Sequence, residues 1–332
     1  MRLATALLFP GLATLALILL LRSMQAFQTR LADHPNERSL HDRPTPRVGG
    51  LAMMLATLPL VAWMAPAILP IVAVAAVLAA VSFADDLRSL PVVVRLAAHF
   101  AASAAIVAFM WLSGARIAAP IALAWVLGIA WMTNLFNFMD GADGLAGGMS
   151  AIGFGAFAIG ARAAGADDLA FACAALASAS VGFLAFNFPP AKIFLGDAGS
   201  IPLGFLAGAL ALEGVKIGAW NAAFALIVFL PFMADATATL AKRAARGARL
   251  WRAHREHYYQ RLILSGWSRR RLAGVAYACM LACAASALAL RSQGEAVQWV
   301  ILAVGSALFI ALFAAIDHGF VTSASTRKRE PR

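Results

Sequence analysis

The sequence predicts an all-α, polytopic membrane protein, and three observations carry that prediction. Hydrophobic residues fill 62% of the 332 positions, charged residues only 13%, and the mean hydropathy is +0.80. Apolar runs recur at about the 20-residue length that a helix needs to cross a bilayer. Their Ala, Leu and Val residues show no period-2 alternation, which excludes a barrel, and lipid leaves the backbone no other spanning structure.

The opening MRLATALLFPGLATLALILLLRS resembles a signal peptide. Its apolar stretch is long and no small-residue cleavage site follows, so it is read as an uncleaved first span at about 3–21. Further spans are expected near 49–65, 67–84, 92–112, 117–135, 145–162, 169–186, 200–213, 219–240, 271–290 and 296–316, a total of 10 to 11. No repeat and no linker to a soluble unit is visible, so residues 1–332 read as one integral domain.

Alternating sides from an outside N-terminus puts 22 of the 27 Lys and Arg on one set of connections (22–48, 85–95, 136–144, 187–199, 242–271 and 317–332). The positive-inside rule assigns that set, and the C-terminus, to the cytoplasm. The same asymmetry accounts for the net charge of +11 and the pI near 10.7. A nucleic-acid binder would need a basic soluble face with groove-reading or aromatic elements, and none is present. Cys173, Cys279 and Cys283 all lie in apolar runs without a metal-type pair, and read as small buried hydrophobes.

Aspartates recur where spans meet the cytoplasmic connections. FADDLRSLP holds Asp85 and Asp86, NLFNFMDGADGLAGG holds Asp140 and Asp143, and KIFLGDAGS holds Asp197. One such residue could cap a helix. Five at one depth repel and raise one another's pKa unless a cation compensates. A hard divalent ion suits them, because Mg²⁺ takes one or two carboxylates and completes its shell with substrate phosphates. The D-G-A-D-G spacing fits neither an EF-hand nor a P-loop.

Cations for a phosphate ester stand in RAHREHYYQRL, with Arg252, His254, Arg255, His257 and Arg261, and in HDRPTPRVGG, with His41, Arg43 and Arg47. The arginines also satisfy the positive-inside rule, but histidines are not required by it. Asp235, inside the ninth predicted span, is a functional candidate by default, with a bond to Lys242 or Arg243 as the alternative. His99 reads as a packed or interfacial residue and His318 carries no motif. A transporter or flippase using these carboxylates for ions is the competing class, and it would place charge nearer the bilayer midplane.

Taken in order, HDRPTPRVGG, FADDLRSL, NLFNFMDGADGLAGG, NFPPAKIFLGDAGS, LPFMADATATLAKR and HREHYYQRL resemble the polyprenyl-phosphate N-acetylhexosamine-1-phosphate transferases, which include phospho-MurNAc-pentapeptide translocase. The pattern N-x-x-N-x-x-D-G-x-D-G-L-A is complete from Asn134 to Ala146. Arg88 and Leu90 follow the paired aspartates where the peptidoglycan enzyme often has lysine, and HREHYYQRL replaces its three histidines. Both departures resemble the GlcNAc-type, O-antigen-initiating branch.

The resemblance implies transfer of HexNAc 1-phosphate from UDP-GlcNAc or a UDP-FucNAc-like donor to undecaprenyl phosphate at the cytoplasmic face of a bacterial inner membrane, with release of UMP. It implies Mg²⁺, with Mn²⁺ as the alternative, held by Asp197 and Asp86. Asp85 and Asp86 would face the lipid phosphate, and Asp140 would be catalytic or support the metal. Asn187, Phe194 and Asp143 would surround the uracil, Asn134 and Asn137 would bind substrate, and His254 with His257 would hold the pyrophosphate. Arg47, Arg255 and Arg261 are the candidate phosphate contacts. A homodimer is the expected assembly.

Overall fold

In a computed structural model describing residues 2–33, 35, 44–115, 117–249 and 254–327, the predicted apolar runs are helices. They are α1 (Arg2–Ser23), α2 (Gln25–Arg30), α3 (Gly49–Met64), α4 (Leu69–Arg88), α5 (Val92–Leu112), α6 (Ala119–Met139), α7 (Leu145–Ala163), α8 (Asp167–Asn187), α9 (Asp197–Lys216), α10 (Ala222–Val228), α11 (Leu230–Ala245), α12 (Tyr258–Leu264), α13 (Arg269–Ala289) and α14 (Glu295–Arg327). Between α2 and α3, β1 (Ala32–Asp33) and β2 (Thr45–Pro46) pair antiparallel, Ala32 opposite Pro46. This short ladder was not predicted and leaves the all-α class unchanged.

Among the described residues nine helices are long and apolar enough to cross a membrane. The predicted second span is α3, shorter at 16 residues, and the predicted ninth is a pair, α10 and α11, bent by 80°. The expected apolar segment of 219–240 is thus helical but broken, not one straight helix. Pro231 enters α11 in its first turn; it has no N–H for the carbonyl four residues back and disfavours helix in the residue before it. The bend sets α11 against α6, α13 and α14.

The bundle is built around α9, which packs between α4 and α6, while α8 packs on α7 and α1. In the apolar stretch of each helix, 94% of residues are buried in α9 and 6% in α14, so one is protein core and the other lies on the outside of the bundle. Apolar side chains gain little by leaving lipid for one another, so close backbone approach and dispersion hold such helices together. Gly204 marks one close approach: a Cβ there would stand 2.4 Å from the Met132 carbonyl oxygen and 2.8 Å from Thr133 Cα, both backbone of α6. Gly204→Ala is expected to push α9 from α6, cost about 1–3 kcal/mol and lower the thermal unfolding temperature of the detergent-solubilised protein.

Candidate active site at the helix ends

α4 ends at Ser89, whose left-handed φ of 51° turns the chain back into α5. The turn keeps Asp85 and Asp86 at the helix end and returns Arg95 beside them. Asp85 accepts the Leu90 amide at 2.5 Å and pairs with Arg95 at 3.2 Å. Asp86 serves the start of α9: its oxygens accept the amides of Asp197 at 3.3 Å and Ala198 at 2.9 Å, and Arg47 lies 3.5 Å away. A carboxylate supplied by another helix thus satisfies orphan N–H groups at the positive end of α9. The approach depends on Gly196, whose φ is 75° and whose Cβ would come within 3.1 Å of Asp86 Oδ2.

Asp197 is less buried than this pair. Asn137, from the end of α6, donates to its Oδ1 at 2.7 Å, and Arg95 stands 3.5 Å from its Oδ2. Asp140 sits just beyond α6 in the same seam. Burial, then the negative charges of Asp197 and Asp86, raise its carboxyl well above the usual range. Asp85, Asp86, Asp140 and Asp197 therefore gather in one place, with more negative charge than Arg47 and Arg95 offset.

Asp143 and Asn187 have a different local task. Asn187 accepts from the Gly144 amide at 2.9 Å and donates to the Ile193 carbonyl at 2.8 Å; Asp143 accepts from the Ala191 amide at 3.0 Å, with Arg269 3.9 Å away. These bonds tie the 140–144 loop to the 188–196 loop. Phe194 lies half-buried on that second loop, its amide bonded to the Pro46 carbonyl.

The histidine loop is organised by Asp235, which is 5% exposed. It accepts the amides of Tyr258 and Tyr259, both at 3.0 Å, and lies 3.2 Å from His257 Nδ1. A carboxylate only accepts, so in this contact Nδ1 is the donor. The expected bond from Asp235 to Lys242 or Arg243 is not formed: Lys242 pairs with Asp317 and Arg243 with Glu256. His254 stacks on His257 with ring centres 5.0 Å apart, and Phe138, next to the aspartate loop, stacks at 6.0 Å. Burial, with His257 and Arg243 adding repulsion, pushes the His254 pKa down to about 4. At neutral pH that ring acts through hydrogen bonds rather than charge.

A cleft of about 730 Å³ joins these groups to an apolar wall. Arg95, Asn134, Asn137, His254 and His257 line its polar end; Phe100, Leu127, Trp131 and Leu240 line the rest. The carboxylates sit beside the cleft, reached through Arg95 and Asn137. Arg95 was missed in the sequence because any arginine in a connection predicted to be cytoplasmic satisfies the charge rule. His99 was read as packed and is indeed buried, yet it lines the cleft and its Nδ1 has no partner among the described residues. Of the other candidates, Arg261 is engaged by Asp317 and the Glu256 carbonyl, and Arg255 is exposed. His41, Arg43 and Arg252 lie outside the described residues.

The chemistry of this donor set fits a divalent cation. Asp197 is partly open, Asp140 is crowded by negative charge, and among the described residues no three of His, Cys, Asp and Glu form a ready-made cage. Mg²⁺ needs few protein ligands when phosphates complete its shell.

Residues 68–215, which include all five aspartates of the two loops and helix ends, match the model of glycosyl transferase family 4. The chain is 27% identical over 290 residues to a probable undecaprenyl-phosphate N-acetylglucosaminyl 1-phosphate transferase of Bacillus subtilis, covering 80% of this chain and 79% of that protein. It is 31% identical over 291 residues to the decaprenyl-phosphate N-acetylglucosaminephosphotransferase of Mycobacterium tuberculosis, covering 74% and 72%. A phospho-N-acetylmuramoyl-pentapeptide-transferase of Geobacillus kaustophilus is 35% identical over 158 residues, 45% of this chain and 47% of that one.

Proposed function

Because the chain belongs to glycosyl transferase family 4, in the group of polyprenyl-phosphate N-acetylhexosamine-1-phosphate transferases that its relatives represent, we propose that it transfers HexNAc 1-phosphate from a UDP-sugar to undecaprenyl phosphate. The observation that carries this reading is the junction at Arg95, which touches Asp85 and Asp197 and also lines the apolar cleft. A polyprenyl phosphate has the same two halves, an anionic head and a hydrocarbon tail. Its head belongs beside Arg95 and its tail along Phe100, Leu127, Trp131 and Leu240. The nucleotide sugar belongs across the 140–144 and 188–196 loops, beneath His254 and His257.

An oxygen of the acceptor phosphate attacks the β-phosphorus of the UDP-sugar, the bond to the α-phosphate oxygen breaks, and UMP leaves with that electron pair. The acceptor needs little help from a base, since a phosphate monoester with a second pKa of about 6 is already largely dianionic. Positioning and charge compensation are what the site must supply. Arg95 offsets the acceptor's charge. Asn137 holds Asp197 in place. His257, its Nδ1–H directed at Asp235, offers Nε2 to the pyrophosphate, and the doubly protonated ring donates there. Asp197, with Asp86 behind it, would hold Mg²⁺ or Mn²⁺, and the bound ion would neutralise pyrophosphate charge as a Lewis acid.

UDP-GlcNAc is the preferred donor, with a UDP-FucNAc-like sugar as the alternative. The product lipid would initiate O-antigen or another surface polysaccharide, with the site facing the cytoplasm and two copies forming a dimer. Purified protein given undecaprenyl phosphate, Mg²⁺ and a panel of UDP-HexNAc donors is expected to release UMP from one of them. Silence across the panel would favour a transporter. Label exchange between UMP and UDP-sugar without acceptor would replace direct displacement by an aspartyl-phosphate route.

A further inference from the structure

α14 is bare along its membrane-crossing length, yet its cytoplasmic end carries a carboxylate that holds three groups together. Asp317 pairs with Lys242 of α11, accepts from Arg261 of α12 at 2.5 Å, and accepts from the Tyr258 hydroxyl at 3.2 Å. One turn earlier, Phe313 stacks face to face on Tyr258, with centroids 3.9 Å apart. Lys242 and Arg261 also lie over the Tyr258 ring, at 5.0 and 5.2 Å.

Tyr258 directly follows His257 and opens α12, which has only seven residues. A helix that short does not hold itself in water and takes its position from tertiary contacts. Asp235 fixes its first two amides; Asp317 fixes the Tyr258 side chain and, one turn on, Arg261. We infer that Asp317 is a positioning residue: it latches α12 to α14 and so keeps His257 and His254 over the cleft. Asp317 itself does not line the cleft.

The latch is electrostatic in a testable way. Two cations converge on one carboxylate, so neutralising Asp317 unties α12 from α14 and leaves Lys242 of α11 and Arg261 of α12 repelling each other across Tyr258. Removing one cation as well relieves that repulsion.

The turnover arm of the test rests on the phosphosugar-transfer reading; the exchange arm does not. Asp317→Asn is expected to lower kcat for UMP release roughly 10- to 100-fold and to speed hydrogen exchange in the 257–264 segment, while α9 stays protected. Asp317→Glu should restore both, and adding Lys242→Gln to Asp317→Asn should recover part of each. Gln298→Ala, at the far end of α14, should change neither. Unchanged exchange and turnover in Asp317→Asn would overturn the inference, as would protection lost throughout the chain or failure of the Glu variant. A wild-type protein that releases no UMP would defeat the functional reading alone, since the exchange comparison still decides the latch.

Discussion

Asp197→Asn is expected to reduce UMP release by at least about 10³-fold while leaving the protein folded. The replacement keeps the shape and the oxygen that accepts from Asn137, while the charge is lost and an N–H₂ takes the place of the oxygen facing Arg95. Arg95 retains Asp85 as a partner. α9 loses one negative residue from its first turn, worth about 0.3–1 kcal/mol, and Asp86 still accepts the amides that begin the helix. Asp140 is relieved of a like charge, so its raised carboxyl pKa falls back toward the ordinary range. A small change in unfolding temperature beside a near-complete loss of turnover is therefore the signature of a group acting on bound charge. UMP release titrated with Mg²⁺, read beside thermal unfolding of the same preparation, checks it. Turnover within tenfold of wild type, with an unchanged Mg²⁺ midpoint, would remove Asp197 from the metal site.

The contrast between what sequence and structure reveal has a physical origin. The long spans were legible because twenty apolar residues have few alternatives in a bilayer. The break at Phe229 was not: Pro10, Pro59 and Pro202 lie inside helices that continue through them, so a proline alone does not announce an 80° bend. The aspartates were legible because gathered charge at a membrane boundary is costly and needs a reason. What each one touches was hidden. Asp86 caps α9, and Asp143 pins a loop, through backbone amides that carry no sequence signal. Arg95 was masked by the charge rule that explains every other arginine in the connections predicted to be cytoplasmic, and Asp317 belongs to no motif. Its meaning comes from α12 and α14 meeting in space.

Asp235→Ala is expected to lower turnover by about 10²-fold or more and to loosen the histidine loop without unfolding the core. The carboxylate serves two backbone amides, the His257 ring and the Thr239 hydroxyl from a buried position. Its removal leaves those donors unsatisfied, at about 1–3 kcal/mol for each that finds no water. Water enters most readily from the cleft, on the His257 side, so the loop yields before α11 does. Asp235→Asn separates the two contributions. Its amide keeps one acceptor oxygen but turns an N–H₂ toward a donor, so either Tyr259 N–H or the His257–Tyr258 pair loses its partner. If the imidazole is the one displaced, Nδ1–H loses its acceptor, and the ring is no longer held with its Nε2 edge toward the pyrophosphate, where only an N–H can donate. That loss falls mainly on kcat, because binding still draws on Arg95 and both loops, whereas a loop that merely unfolds raises the donor KM as well. A kcat decrease at nearly constant KM in the Asn variant, beside a rise in KM in the Ala variant, would establish Asp235 as the residue that orients the histidine. Equal changes in both parameters for both variants would reduce it to an anchor for α12.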